Sequence, residues 1–86
     1  LYLLDEPEAA LSPSNQLVLL HLVSQAVAQD CQFIISTHSP VMLAYPVACI
    51  YQLETGTISE TTYNALEHIQ FLRAFMNNAE GFLDRL

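Results

Sequence analysis

Leu1-Tyr2-Leu3-Leu4-Asp5-Glu6-Pro7 is an apolar run that stops at two adjacent acids and a proline. A short apolar run bounded this sharply reads as a strand buried on both faces, as in a parallel sheet. Acids at the carboxyl end of such a strand lie where open α/β sheets hold their ligands. Further along, Phe33-Ile34-Ile35-Ser36-Thr37-His38-Ser39-Pro40 repeats the arrangement: an apolar strand that runs into a polar turn, here carrying a histidine.

The segment between them reads as a helix. Ser12 is placed as N-cap and Pro13 at the first helical position, and the apolar residues continue to about Gln29. Leu17, Leu20 and Val23 or Ser24 share one side, with Leu19, Leu22 and Ala26 on another, a broad surface suited to packing on a sheet. Strand, helix and strand in this order, with the second strand at 31–36, make a right-handed βαβ unit. Its strands are parallel, so Asp5, Glu6 and His38 converge on one edge of the sheet. Beyond it the spacing predicts one helical turn at 40–44, a strand at 48–54, a turn at Thr55-Gly56 and a hairpin partner at 57–61. A helix follows over 64–77, with Leu66, Ile69, Phe71 or Leu72, Phe75 and Met76 as its apolar positions, and a short one over 79–86.

Composition narrows the functional classes. The 86 residues are 52% hydrophobic and 13% charged, which describes one small folded domain. Two basic residues, Arg73 and Arg85, face nine acidic ones, for a net charge of −7. Such a chain offers almost nothing to neutralise nucleic-acid phosphates or to hold an anionic membrane. Cys31 and Cys49 lack CxxC spacing and read as reduced, buried thiols of a cytoplasmic protein. No membrane span or signal peptide is visible, and the start without methionine inside a core strand suggests a fragment, an incomplete chain or a processed product.

The acids and the histidine carry the chemistry. Asp5 is placed to hold Mg²⁺ directly or through water, and Glu6 to orient or deprotonate an attacking water. His38 can hydrogen-bond a γ-phosphate or that water near neutral pH. Set against this are plainer readings: a solvated acidic turn, and a surface histidine whose neighbours Ser36, Thr37 and Ser39 cap a turn. The pairing of the two strand ends favours the chemical reading. His21 and His68 read as surface or packing residues, and Tyr63, Phe71, Phe75 and Phe82 as packing. Glu8, Glu54, Glu60, Glu67 and Glu80 read as solvated acids, and the scattered histidines and cysteines make no zinc site.

Residues 1–13, Leu-Tyr-Leu-Leu-Asp-Glu-Pro-Glu-Ala-Ala-Leu-Ser-Pro, and 36–40, Ser-Thr-His-Ser-Pro, resemble the Walker B segment, D-loop and H-loop of ABC-type ATPases. The variant is most similar to soluble bacterial ABC-like ATPases of the AAA family, and the tail over 63–86 resembles the C-terminal end of such proteins. The resemblance implies a P-loop NTPase-type α/β fold: a parallel βαβ core with short antiparallel strands and C-terminal helices. It implies ATP and Mg²⁺ as cofactors, with Asp5 on the metal, Glu6 as catalytic base and His38 as the switch histidine at the nucleotide. It places Ala10, Leu11 and Ser12 in a D-loop that crosses a nucleotide-sandwiched homodimer. Ser12 stands where transporter versions carry aspartate. No Gly-x-x-x-x-Gly-Lys-[Ser/Thr] loop and no Leu-Ser-Gly-Gly signature occurs in residues 1–86. The resemblance thus makes the chain the C-terminal part of an ATPase domain, inactive alone, whose partner is an N-terminal half carrying Walker A. The alternative is a non-catalytic remnant or split subunit acting as a protein-interaction module. A link to nucleic acid would rest on analogy with relatives alone.

Overall fold

A computed structural model describes residues 1–84 and 86. Arg85, one of the two cations, and the part of the expected last helix that includes it lie outside the described residues. The chain expected as one domain divides into two compact units, Leu1–Ala48 and Cys49–Leu86.

In the first unit, strand β1 spans Tyr2–Asp5, helix α1 Pro13–Ala28 and strand β2 Phe33–Ser36. β1 and β2 pair in parallel, with Tyr2 opposite Phe33 and Asp5 opposite Ser36. Backbone bonds extend the ladder by one residue at each end, Tyr2 N–H to Gln32 O and Glu6 N–H to Ser36 O, both at 2.8 Å. Paired residues of parallel strands share a face. Tyr2 and Phe33 accordingly stack, with ring centroids 5.2 Å apart.

α1 begins as its sequence dictates. Ser12 is the N-cap, its Oγ accepting from Asn15 N–H at 3.3 Å, and Pro13 follows it. The helix ends in a Schellman turn. Asp30 takes the left-handed conformation (φ 64°), Asp30 N–H bonds Val27 O at 3.0 Å and Cys31 N–H bonds Ala26 O at 3.0 Å. That turn consumes Cys31 and delays β2 to Phe33. Gln16, Leu19, Leu20, Val23 and Ala26 form the covered stripe of α1, while Leu17, Val18 and Leu22 are exposed. The two apolar faces expected are one covered stripe and one open face.

One expectation fails in this unit. Strands buried on both faces were read from the apolar runs, yet Leu3 is 71% and Ile34 58% exposed. A two-stranded sheet has an edge on each strand, and among the described residues no layer covers the face that Leu3 and Ile34 share. The buried apolar residues of this unit are Val23 and Met42. Met42 belongs to a short 3₁₀ turn, Met42–Ala44, where one helical turn was expected.

In the second unit, β3 (Ile50–Glu54) and β4 (Thr57–Thr61) form the expected antiparallel hairpin. Glu54 pairs with Thr57, so Thr55-Gly56 is a two-residue turn, and Gly56 supplies the positive φ (80°) that it requires. A 3₁₀ turn, Tyr63–Ala65, precedes α2 (Glu67–Asn77), and α3 covers Ala79–Leu83. α2 starts later than its periodicity suggests because Leu66 is extended (ψ 127°) and separates the two turns. Leu66 and Ile69 are buried, Leu72 and Phe75 half-buried and Met76 exposed. Phe71, Phe75 and Phe82 pack as expected, with centroids 5.7–6.1 Å apart. Arg73 donates to Asn64 Oδ1 at 3.1 Å.

Candidate functional site

The parallel pairing brings the acidic motif and the histidine turn to one end of the β1–β2 sheet, as the strand order requires. Asp5 is the last residue of β1 and is exposed. Glu6 follows it with φ 48°, in the left-handed region, which costs a residue with a Cβ about 1–2 kcal/mol. Conformations of this kind collect at functional sites. Here the result is direct: the chain swings off the strand and the Glu6 side chain meets the turn after β2. Neighbouring side chains on a strand point to opposite faces, but here the left-handed turn at Glu6 sets its direction.

Glu6 Oε1 and His38 Nδ1 lie 3.1 Å apart, with the histidine side chain 89% and the glutamate side chain 41% exposed. An ionised carboxylate only accepts, so Nδ1 carries the hydrogen whenever Glu6 is ionised. The pair is accessible to a ligand approaching the strand ends.

The residues on either side of His38 are held by hydrogen bonds. Thr37 Oγ1 accepts from Ser39 N–H at 3.0 Å. Ser39 is buried, and its Oγ donates to Gln16 Oε1 while accepting from Val41 N–H at 3.1 Å and Met42 N–H at 3.2 Å. Gln16 also donates through Nε2 to Leu11 O at 3.1 Å. α1 is thereby tied both to the loop after Pro7 and to the histidine turn. The capping role set against the chemical reading of this turn is real, and it belongs to Thr37 and Ser39. It does not compete with His38.

Glu8 corrects the sequence reading. Taken as a solvated acid, it is 7% exposed. Burial pushes its carboxyl up, but its own backbone N–H, the Thr37 hydroxyl, Glu6 and the nearby His38 outweigh that and hold it below the ordinary value of 4.5. Among the described residues its Oε1 has no hydrogen-bond partner. The only sequence signal for Glu8 was its position on the tight turn after Pro7, where Ala9 N–H bonds Glu6 O at 3.1 Å and Leu11 N–H bonds Glu8 O at 2.8 Å.

Ser12, expected near a nucleotide, spends its side chain on capping α1, with Ser14 Oγ also 3.3 Å away. Among the described residues no group of three or more His, Cys, Asp or Glu side chains could enclose a metal ion. Asp5 alone suits Mg²⁺ as a single oxygen ligand, since that ion usually keeps several waters and takes phosphate oxygens besides one or two carboxylates. A groove of about 400 Å³ in the second unit is lined by Gln52, Glu67, His68 and Phe71 and contains none of these residues. Among the described residues no helix is long and apolar enough to cross a membrane. The chain matches no protein-family model, no curated protein and no solved structure.

Proposed function

We propose that this chain is the C-terminal part of an ABC-like ATPase domain of the P-loop NTPase type, acting in the cytoplasm. The observation that carries the reading is the 3.1 Å contact between Glu6 and His38 at the carboxyl end of parallel strands, beside Asp5. In this reading Asp5 is one ligand of the Mg²⁺ that accompanies ATP, with phosphate and water oxygens as the others. The metal supplies charge neutralisation on the β- and γ-phosphates.

Glu6 takes the proton of the attacking water as the water oxygen bonds the γ-phosphorus and the β–γ bridging oxygen leaves on ADP. His38 Nδ1 holds the Glu6 carboxylate. A hydrogen bond donated by the same ring to a phosphate oxygen then comes from Nε2, which carries a hydrogen only when the imidazole is protonated. The net charge of −7 and the absence of lysine leave this chain unable to neutralise a triphosphate by itself. The phosphate-binding loop therefore belongs to an N-terminal half outside residues 1–86, and two such domains pair through their nucleotide sites. Ser12 reaches that nucleotide interface only by giving up its capping bond.

The test is Glu6→Gln in the protein that carries these residues. Turnover should fall by roughly 10²–10⁴-fold, while binding of a fluorescent ATP analogue stays within about threefold of wild type. Normal turnover in that variant refutes the reading. A second reading, a non-catalytic interaction module, is favoured by the bare apolar face at Leu3 and Ile34. It expects Glu6→Gln to change nothing and Leu3→Asp to abolish association with a partner chain.

A further inference from the structure

Helix α1 carries no charge. From Pro13 to Ala28 it has no Asp, Glu, Lys or Arg, with neither acids in its first turn nor bases in its last. Its apolar residues are spread around the axis, whereas those of α2 gather on one side. A helix apolar all round is one that is covered all round. Among the described residues only one stripe of α1 is covered, that of Gln16, Leu19, Leu20, Val23 and Ala26. On the other side Leu17 is 61%, Val18 56% and Leu22 56% exposed, with His21 and Gln25 exposed among them.

The fold limits where a cover can come from. The crossover helix of a βαβ unit is an outer layer on its sheet. Further strands of the same domain extend the free edges of β1 and β2, and further helices cover the face of Leu3 and Ile34. Neither position lies outside α1, so its cover is a separate body.

Charge then selects that body. A twofold contact sets each residue near the axis against its own counterpart, and a chain of net charge −7 repels its copy wherever acids meet. The exposed sheet face carries Asp5 beside Leu3 and Ile34. The exposed hairpin face of Tyr51, Leu53 and Ile58 carries Glu60, opposite Tyr51. Helices α2 and α3, exposed at Phe71, Met76 and Phe82, carry Glu67, Arg73 and Glu80. Of these apolar surfaces, only the outer face of α1 lets two copies meet with no like charges in contact.

We propose that the outer face of α1, at Val18 and Leu22, is where a second copy of this chain docks, helix against helix about a twofold axis. The contact uses none of Asp5, Glu6 or His38 and does not rest on the ATPase reading. It is an interface additional to any pairing through nucleotide sites. A helix of 16 residues is about 24 Å long, and two such helices crossing bury less than the roughly 1,200 Å² of a standard interface. The dimer is therefore transient, half-formed at a chain concentration on the order of 10⁻⁵ M.

The test is sedimentation velocity of the nucleotide-free protein that carries this chain, from about 10⁻⁶ to 10⁻⁴ M, with circular dichroism to confirm folding. The protein should double its mass across that range. Leu22→Glu sets like charges against each other across the axis and should raise the dissociation constant at least about tenfold, and Leu22→Lys should do the same. An equimolar mixture of the two variants should associate within about threefold of wild type, because opposite charges then meet. Leu3→Glu, on the sheet face, should leave the constant unchanged. If the Leu22 variants do not fold, Val18→Glu and Val18→Lys carry the same test.

A mass that stays constant across the range overturns the proposal, as does association that survives both Leu22 substitutions. A mixture that fails to associate overturns the twofold contact, since Leu22 then does not meet its counterpart. Association lost in Leu3→Glu, or formed only with ATP, belongs to the sheet face or the nucleotide sites and equally overturns it. A protein that doubles its mass as expected but hydrolyses no ATP leaves this contact standing and overturns the ATPase reading.

Discussion

Replacing Ser39 with alanine should damage the first unit more than any apolar truncation of comparable size. Ser39 is buried, and its Oγ joins Gln16, the Val41 amide and the Met42 amide in one node. The substitution removes three hydrogen bonds and adds no volume. Gln16 keeps its bond to Leu11 O and can reach water, so its loss is small. The Met42 amide bond is the buried one of the three, so its donor is the one left without water. One orphaned buried donor costs about 1–3 kcal/mol and each exchanged neutral bond about 1 kcal/mol, giving a total of about 2–3 kcal/mol. A folded unit of this size, residues Leu1–Ala48, is stabilised by only about 2–7 kcal/mol. Urea unfolding followed by circular dichroism should show the midpoint falling by roughly 2 M, taking m as about 1 kcal/mol/M. Amide exchange should show Met42 losing protection before the β1–β2 ladder does. A midpoint within about 0.3 M of wild type, with Met42 still protected, refutes the argument that this node holds the histidine turn to α1.

The remaining predictions concern charge and backbone. Because Glu8 is held below its unfolded value of 4.5, it contributes stability that is complete above about pH 4.5 and is lost as pH falls through its lowered value. Acid titration of the unfolding midpoint should be steeper below pH 4.5 in wild type than in Glu8→Gln, and equal slopes would contradict the assignment. Gly56→Ala meets no neighbour, so its cost is backbone strain at φ 80° alone, about 1 kcal/mol in a thermal melt. Gly81→Ala is different, because its Cβ would collide with the Asn78 side chain that caps α3 by accepting from Gly81 N–H at 3.2 Å. Loss of the α3 amide protection, with the hairpin unaffected, is the expected result in hydrogen exchange.

The sequence by itself determined the local order of this chain. Ser12-Pro13 placed the start of α1, because capping and a fixed φ act within a few residues. Thr55-Gly56 placed the hairpin turn for the same reason. The βαβ order then forced Asp5, Glu6 and His38 to one sheet end, since parallel strands joined by a helix share their direction. Three things were decided only in three dimensions. The left-handed turn at Glu6, needed to bring its carboxylate to His38, has no marker such as glycine at that position. The burial of Glu8 arises only in the folded chain, so its reading as a solvated acid failed. The exposure of Leu3 and Ile34 depends on how many layers surround the sheet. An apolar run records that a strand suits burial, and only the tertiary structure determines what covers it.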